Sequence, residues 1–297
     1  MNVEGSLEGR IALVTGAARG LGFAIAQRLV RAGASVWLNG RDRAALGDAA
    51  DRIGSDARVL AFDIGDDYAT AAAFETLAED GLDILVNNVG QRDRRSLAQL
   101  RREDMAAMLA TNLVAPFDLA RRAVPLMEAR GYGRIVNITS IAAEIARGDI
   151  LYTASKGGLA ALTRAFAAEL GGTGITVNAV APGYFATEAN EEMSTDPGIA
   201  QHLERRTSLG RWGDPGEIGG VLLLQQVQQV GGRTDAQQSL DRVEDEIDSS
   251  LRRHGEGPSS TCKQLNLARE RAFDTSNHRS RRRSDFAFAT SVRRLRK

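Results

Sequence analysis

Tyr152 and Lys156 are the residues of this sequence whose types and spacing first suggest chemistry. They lie four positions apart in the segment YTASK, and positions i and i+4 share one face of a helix. A free phenol has a pKa of about 10 and exchanges protons poorly near neutrality. A nearby ammonium group stabilises the phenolate and lowers that pKa, which makes a tyrosine usable as a general acid or base. Because Tyr and Lys four apart are also common on helix surfaces, the pattern needs support from the rest of the chain.

The other reactive residue types exclude several chemistries. The single cysteine, Cys262, cannot form an internal disulfide, which is typical of a reducing cytoplasm. The three histidines, at 202, 254 and 278, have no ligand-like spacing, so we expect neither a metal site nor a histidine-based triad. The sequence contains no run of 18 apolar residues and no secretory signal pattern at its start. We therefore expect a cytoplasmic protein without a membrane span.

A glycine-rich turn lies between a short apolar run and a helical pattern near the start of the chain. RIALVT, residues 10–15, is followed by GAARGLG and by an alanine-rich helical pattern from about 21 to 32. Gly16, Gly20 and Gly22 would let the backbone approach a pyrophosphate, whose charge a helix N-terminus favours. A plain tight turn would also use glycines, but strand, glycine turn and helix together are typical of a dinucleotide site.

Strands and helices alternate along the first 224 residues. Further strands are predicted at SVWLNG, RVLAFD, DILVNN, RIVNIT and ITVNAVA, and helices over 42–53, 67–79, 103–130 and 152–170. This alternation predicts an α/β fold with a doubly wound parallel sheet, the Rossmann fold. Open sheets of this kind bind ligands at the carboxyl ends of their strands.

The end of the second strand distinguishes between two cofactors. An NAD site has a carboxylate there for the adenosine ribose, whereas an NADP site has cations for the 2′-phosphate. This chain has Asn39 and then Arg41, with Arg19 in the glycine turn as a second cation. A surface arginine needs no ligand, but the missing acid favours NADP over NAD. Asp63, which ends the third strand, could contact the adenine or cap the following helix.

Six segments, in this order, resemble the short-chain dehydrogenase/reductase family. They are TGAARGLG (Thr15–Gly22), NNVG (Asn87–Gly90), ATNL with Asn112, NITS with Ser140, YTASK, and VAPGYFAT with Pro182 and Gly183. The resemblance covers roughly residues 7–224. LNGRD, NNVGQRDRR, EIARGD, PGYFATEAN and RTSLGRWGDPGEI are most similar to gluconate 5-dehydrogenases. Other sugar or polyol dehydrogenases and 3-oxoacyl-carrier-protein reductases share most of the framework.

The resemblance implies a role for each matching residue. Tyr152 would be the acid/base, and Lys156 would bind the nicotinamide ribose and lower the tyrosine pKa. Ser140 would hydrogen-bond the substrate oxygen, and Asn112 would hold a water of a proton relay. The expected cofactor contacts, which also include Tyr152 and Lys156, are Gly16, Arg19, Gly20, Leu21, Gly22, Arg41, Asp63, Ile64, Asn87, Asn88, Gly90, Pro182, Gly183 and Thr187. The expected reaction interconverts a secondary alcohol and a ketone with NADP(H).

The substrate is indicated more weakly than the reaction. Arg92 and Arg94 follow NNVG at the rim of the expected pocket, and Arg147 precedes Tyr152. Arginine suits a bidentate hold on a sugar-acid carboxylate, although loop arginines are often merely solvated. Gluconate/5-ketogluconate or a related sugar acid or polyol is the preferred small-molecule substrate. The alternatives are reduction of a 3-oxoacyl thioester or another ketone, and a catalytically inactive nucleotide-binding protein.

Two loop features bear on the expected pocket. Residues 184–210 would close over the substrate, as the resemblance implies. Ser140 and Tyr152 are twelve positions apart, where the family usually has thirteen. We expect a deletion near Gly148 and Asp149 that changes the shape of the pocket more than its chemistry.

Residues 225–297 depart from the family pattern. They contain 15 Lys+Arg and 10 Asp+Glu, which leaves 23 and 28 of the chain's 38 each for residues 1–224. No seventh strand and no Asp-Gly-Gly turn are recognisable, so the final strand is expected to be missing or replaced by a polar, basic, disordered tail. The explanations are a frameshift near residue 224, a genuine appended segment, and a solvated tail without a role. Nucleic-acid binding is not expected, because aromatic residues are not interleaved with the basic ones.

One assembly is also expected from the resemblance. The helices at about 103–130 and 152–170 form subunit contacts in tetramers of this family. Their sequences are intact here, so a homo-oligomer is expected.

Overall fold

A computed structural model describes residues 6–145 and 148–220 of the chain. These residues include all the strands predicted above. The predictions for the tail 225–297, for the missing final strand and for Arg147 lie outside the described residues.

The sheet has six parallel strands in the order β3-β2-β1-β4-β5-β6. The strands are β1 (Ile11–Thr15), β2 (Ser35–Gly40), β3 (Ala57–Ala61), β4 (Ile84–Asn87), β5 (Gly133–Ile138) and β6 (Ile175–Val180). The chain builds outward from β1 to β3 and then crosses back to place β4 on the other side of β1. This reversal opens a crevice at the carboxyl ends of the strands, where such sheets bind ligands. The predicted doubly wound Rossmann sheet is confirmed.

Helices cover both faces of the sheet. They are α1 (Gly20–Arg31), α2 (Arg43–Ile53), α3 (Asp67–Asp80), α4 (Arg102–Leu109), α5 (Ala115–Ala129), α6 (Ile150–Glu169), α7 (Glu191–Ser194) and α8 (Pro197–Arg206). The carboxylates of Asp42 and Asp66 accept backbone N–H groups of the first turns of α2 and α3, which fixes where those helices begin. In the described part of the chain, no helix combines the length and apolar character needed to cross a bilayer.

The core lies on both sides of the sheet because successive strand residues point to opposite faces. On β1, Ala12 and Val14 pack on the side of α1 and α2, whereas Leu13 packs on the side of α3 and α5. All three are fully buried. Apolar packing on both faces holds the strand ends in fixed register, and those ends carry the site.

Candidate active site

A single cleft of about 1060 Å³ runs along the carboxyl edge of the sheet. Most of the predicted site residues line it: Gly16, Arg19, Gly20, Leu21, Arg41, Asp63, Ile64, Asn88, Gly90, Arg92, Ser140, Tyr152, Lys156, Pro182, Gly183 and Thr187. The residues near α1 and β2 form one end, and those of β5 and α6 form the other. Asn87, Asn112, Gly22 and Arg94 are not in the lining.

The glycine turn leaves the N-terminus of α1 open to the cleft. Gly16 and Gly20 have φ angles of 63° and 59°, a backbone region that favours glycine. Arg19, the residue before α1, makes no side-chain capping bond, and the first turn of the helix contains no acid. The free N–H groups and the positive end of the helix dipole suit a phosphate group.

Gly22, in the first turn of α1, packs directly against the glycine turn. A Cβ at this position would lie 2.1 Å from the carbonyl oxygen of Gly16 and 2.6 Å from Nδ2 of Asn88. Only a glycine allows α1 to pack this closely on the preceding turn. Gly22 thus contributes to the packing of α1 against the glycine turn and does not line the cleft.

Two arginines lie at the end of the cleft near β2: Arg41 follows this strand and Arg19 belongs to the glycine turn. Arg19 and Arg41 are exposed in the cleft lining, and their side chains make no ion pair or hydrogen bond within the described residues. Asn39 is buried and donates its amide to the carbonyl oxygens of Leu60 and Phe62. The next acid, Asp42, accepts the N–H groups of α2 instead. This end of the cleft therefore favours an extra phosphate over a ribose hydroxyl pair.

The two asparagines after β4 have different surroundings. Asn88 donates to the carbonyl oxygens of Thr15 and Gly16, which ties the glycine turn to β4. Asn87 is buried and donates at 2.8 Å to Oδ1 of Asn137 in the core. The structure thus brings Asn88, but not the side chain of Asn87, to the cleft.

Asp63 also lines the cleft, and its carboxylate accepts the N–H of Gly65 at 2.9 Å. The cap of α3 is Asp66. The alternative in which Asp63 caps this helix is therefore wrong.

Tyr152 and Lys156 stand together on α6, as the i, i+4 spacing predicts. Lys156 Nζ lies 5.8 Å from the centroid of the Tyr152 ring. The lysine side chain is buried and donates to the carbonyl oxygen of Ile138 at 2.7 Å. Burial lowers the pKa of Lys156 to about 8, because a charged amine is poorly solvated there. A Cβ on Gly90 would come within 3.1 Å of Nζ, so the glycine makes room for the amine.

Ser140 follows β5 on the same side of the cleft. Its hydroxyl oxygen accepts the N–H of Ala142 at 3.1 Å, and it caps a short 3₁₀ turn. The hydroxyl hydrogen remains available to donate to an oxygen in the cleft. This geometry suits a group that orients a substrate carbonyl.

Asn112 lies beneath the cleft within a single π-helical turn, Ala110–Val114, between α4 and α5. It is fully buried, and its Oδ1 accepts the N–H of Gln91. Its Nδ2 donates to the carbonyl oxygen of Gln91 and to Oγ of Ser155. Such π turns often occur at functional sites. Asn112 connects the loop after β4 to α6, next to Lys156.

The three arginines after β4 have different partners. Arg92 binds Asp149, and its guanidinium carbon lies 4.7 Å from the centroid of the Tyr152 ring. Arg95 binds Asp93 and Asp104, and these hydrogen bonds raise its pKa above the ordinary value. The one hydrogen bond of the Arg94 side chain within the described residues is to the sulfur of Met193, at 3.3 Å. Among the three, Arg94 is the one whose charge no carboxylate neutralises there.

The chain after β6 contributes lining residues that were not predicted individually from the sequence. Tyr184, Phe185, Met193 and Trp212 line the cleft. The Tyr184 and Trp212 rings pack edge to face with centroids 5.6 Å apart. The aromatic pair in PGYF was a usable signal, since it follows a strand that ends at the cleft. Trp212 is distant in sequence and could not be assigned from spacing.

The described residues contain no cluster of His, Cys, Asp or Glu suited to a metal ion. The glycine turn with its two arginines and the group of Ser140, Tyr152 and Lys156 line the same cleft. This combination is typical of a nicotinamide-dependent oxidoreductase.

Comparisons with known proteins agree with this geometry. The family model described as enoyl-(acyl carrier protein) reductase matches residues 16–225. The gluconate 5-dehydrogenase of Gluconobacter oxydans is 40% identical over 225 residues, 74% of this chain and 88% of its own length. A 3-oxoacyl-acyl-carrier-protein reductase of Aquifex aeolicus is 33% identical over 229 residues, 75% of this chain and 92% of its own.

A solved structure is also similar. It is a gluconate 5-dehydrogenase from Burkholderia cenocepacia in complex with NADP and tartrate, 35% identical with a TM-score of 0.70, and the match covers 76% of this chain and 90% of that one. The chain belongs to the short-chain dehydrogenase/reductase family and is an oxidoreductase that acts on CH–OH groups.

Proposed function

We propose that this protein interconverts a sugar acid or polyol and the corresponding ketone with NADP(H), with gluconate/5-ketogluconate as the preferred pair. The observation that carries the proposal is the cleft itself. At one end lie Arg19 and Arg41, whose side chains have no partner among the described residues, and at the other Tyr152 lies beside buried Lys156. Relatives of both sequence and structure that act on gluconate support the choice of substrate. The single cysteine supports a cytoplasmic location.

The cofactor proposal rests on the glycine turn and the two cations. The N-terminus of α1 would hold the pyrophosphate, and Arg19 and Arg41 would hold the 2′-phosphate of NADP. Asp63 and Ile64 would lie beside the adenine, and Asn88, Gly90, Pro182, Gly183 and Thr187 along the rest of the molecule. When bound, the nicotinamide supplies or accepts the hydride.

Residues of the chain would supply the proton and orient the substrate carbonyl. Tyr152 would donate its phenolic proton to the carbonyl oxygen during reduction and take it back during oxidation. Lys156 would favour the phenolate by its charge and hold the nicotinamide ribose. The hydroxyl of Ser140 would donate to the same substrate oxygen and fix its position. Asn112, through Ser155 and Gln91, would keep the base of the site rigid.

Arg94 is the arginine best placed to recognise a sugar-acid carboxylate. Arg94 is exposed, and Met193, its one hydrogen-bond partner within the described residues, lines the cleft. A sulfur atom is a weak acceptor and leaves most of the five N–H donors available. Arg92 was predicted in the same role, and its Nε and Nη2 already donate to Asp149. Residues 184–210, which include Met193, would close over the substrate.

A direct assay tests the proposed function. NADPH oxidation should be faster with 5-ketogluconate than with a 3-oxoacyl thioester. Tyr152→Phe should lower turnover by at least about 10²-fold, because it removes the acid/base, while the Kd of NADPH stays within about twofold. Turnover of only the thioester would favour the carrier-protein reductase activity that the Aquifex relative suggests. NADPH binding without turnover of any ketone would indicate a nucleotide-binding protein, and full activity of Tyr152→Phe would contradict the mechanism.

The chain is also proposed to form a homo-oligomer through the helices near 103–130 and 152–170. Val114 and Phe117 are 56% and 42% exposed, and Phe117 stacks on Phe166 of α6 with centroids 6.0 Å apart. Exposed alanines at 161, 165 and 168 extend this apolar surface along α6. Exposed apolar side chains on neighbouring helices are suited to a subunit contact.

A further inference from the structure

The loop between Ser140 and Tyr152, one residue shorter than usual, ends in an unusual backbone conformation. Asp149, the residue before α6, has φ 74° and ψ 55°. Among the described residues it is the only one other than glycine with a positive φ. Residues other than glycine are uncommon in this left-handed region; Asp and Asn adopt it more readily than other side chains, and a side-chain contact can then fix it.

The side chain of Asp149 shows what holds it. Unlike Asp42 and Asp66, it makes no capping bond to its own helix. Its Oδ2 instead accepts Nε and Nη2 of Arg92, at 2.8 and 2.6 Å. The carboxylate is 6% exposed and the arginine 29%, so solvent screens this pair less than a surface pair. The contact joins the loop after β4 to the first turn of α6 across 57 positions of sequence.

Tyr152 lies three residues after Asp149, one turn into the helix. The Arg92 guanidinium covers its ring, 4.7 Å from the centroid. Lys156 approaches the same ring, at 5.8 Å. Since Asp149 neutralises Arg92, the arginine contributes mainly contact and geometry rather than net charge. The first turn of α6 and the phenol are thus fixed by one side chain from a different element.

We propose that Arg92, paired with Asp149, is a positioning residue that fixes the first turn of α6 and the Tyr152 ring, and so compensates for the shortened loop. It acts through Asp149 and the ring, not on the substrate. Its effect on catalysis rests on the proposed oxidoreductase function but not on a particular ketone.

A double-mutant cycle tests this. Arg92→Gln and Asp149→Asn should each lower kcat about tenfold, because displacement of a reacting group by less than 1 Å already slows transfer. KM for the ketone and the Kd of NADPH should change by less than about twofold. Asn tolerates the left-handed region, so Asp149→Asn removes the charge without straining the backbone. The double variant should be no slower than either single one, since both remove the same interaction.

Controls separate the possible outcomes. Arg92→Lys should recover part of the lost kcat, and Arg95→Gln, in the same loop but paired with Asp93 and Asp104, should leave kcat unchanged. Losses that multiply in the double variant would show that Arg92 and Asp149 act independently, and a loss confined to KM would show that Arg92 acts on the substrate; either result would overturn the proposal. Unchanged kcat in Arg92→Gln, or an equal loss in Arg95→Gln, would also overturn the proposal.

A second measurement does not depend on any substrate. Amide hydrogen exchange over residues 150–155 should be faster in Arg92→Gln than in the parent protein and unaffected in Arg95→Gln. The Thr153 N–H, which donates to the Asp149 carbonyl oxygen at 2.9 Å, is the most direct reporter. If no ketone is turned over, this result still supports the positioning role or, if exchange is unchanged, refutes it.

Discussion

At the residue scale, the amine of Lys156 is buried in the site, and this burial lowers the free energy of unfolding when the amine is charged. Its pKa falls from 10.5 to about 8 on folding because the charged form is desolvated. Below pH 8 both the folded and unfolded states hold the proton, so the folded state bears the full cost of a buried charge. Between about 8 and 10.5 only the unfolded state keeps the proton, and the cost disappears.

The expected outcome concerns Lys156→Met in the ligand-free protein. At pH 7 the variant should be the more stable, by an amount of order 3 kcal/mol, because it buries no charge. The parent should regain this difference as the pH rises from 8 to 10.5. Denaturant unfolding of both proteins at several pH values measures the difference, and a constant difference across this range would contradict the interpretation.

Arg94 provides the second residue-scale prediction. Arg94→Gln should raise KM for 5-ketogluconate by about tenfold or more, because a charge-assisted hydrogen bond is lost, and leave kcat nearly unchanged. Arg95→Gln is the matched control, since that side chain is occupied by Asp93 and Asp104. Steady-state kinetics with a sugar acid and with an uncharged polyol measures the effect. An equal rise in KM for both substrates would show that Arg94 does not recognise the carboxylate.

The asparagines and arginines also show how far single residues could be predicted from sequence. Alternation along β4 would have placed Asn87 on the same face as Leu85, in the core, and Asn88 beyond it. The partners of Arg92, Arg94 and Arg95 could not be predicted. Asp149 lies 57 positions from Arg92 and Met193 lies 99 positions from Arg94, and composition alone assigns the same charge to all three arginines.

At the scale of elements, α1 depends on its contact with the glycine turn. Gly22→Ala should prevent folding or lower the free energy of unfolding by several kcal/mol, because the new Cβ would lie 2.1 Å from a backbone carbonyl oxygen that cannot move away. Gly47→Ala, inside α2, meets nothing within 4 Å and should stabilise the protein by up to about 1 kcal/mol. Urea unfolding of both variants tests the contrast. Similar midpoints for the two would contradict this packing.

The elements themselves were largely predictable. The strand SVWLNG matches β2 at both ends, and the helix predicted over 42–53 differs from α2 only at its cap. Hydrophobic periodicity and a capping aspartate are local signals, so they can be recognised in the sequence without knowledge of tertiary contacts. The π turn at Asn112 was not predictable, because it arises from contacts between the α4–α5 region and α6.

At the scale of the whole molecule, the exposed apolar residues of the π turn, α5 and α6 have a testable consequence. Val114→Arg should shift the protein to a smaller species in light scattering, because a charge would be buried in the proposed contact. Tyr68→Arg is the control, since Tyr68 is 88% exposed but belongs to α3. A change of mass in the control alone, or in neither variant, would argue against this surface as the subunit contact.

The cleft joins parts of the chain that are distant in sequence, from the turn after β1 to Trp212. A ligand that binds there binds only the folded chain, and at one hundred times its Kd it adds about 2.7 kcal/mol to the free energy of unfolding. The rise in melting temperature on adding a compound therefore reports whether that compound binds in the cleft. Nucleotides and sugar acids can be ranked by thermal shift before any reaction has been observed, and pairs that stabilise more together than separately would identify the cofactor and substrate as partners.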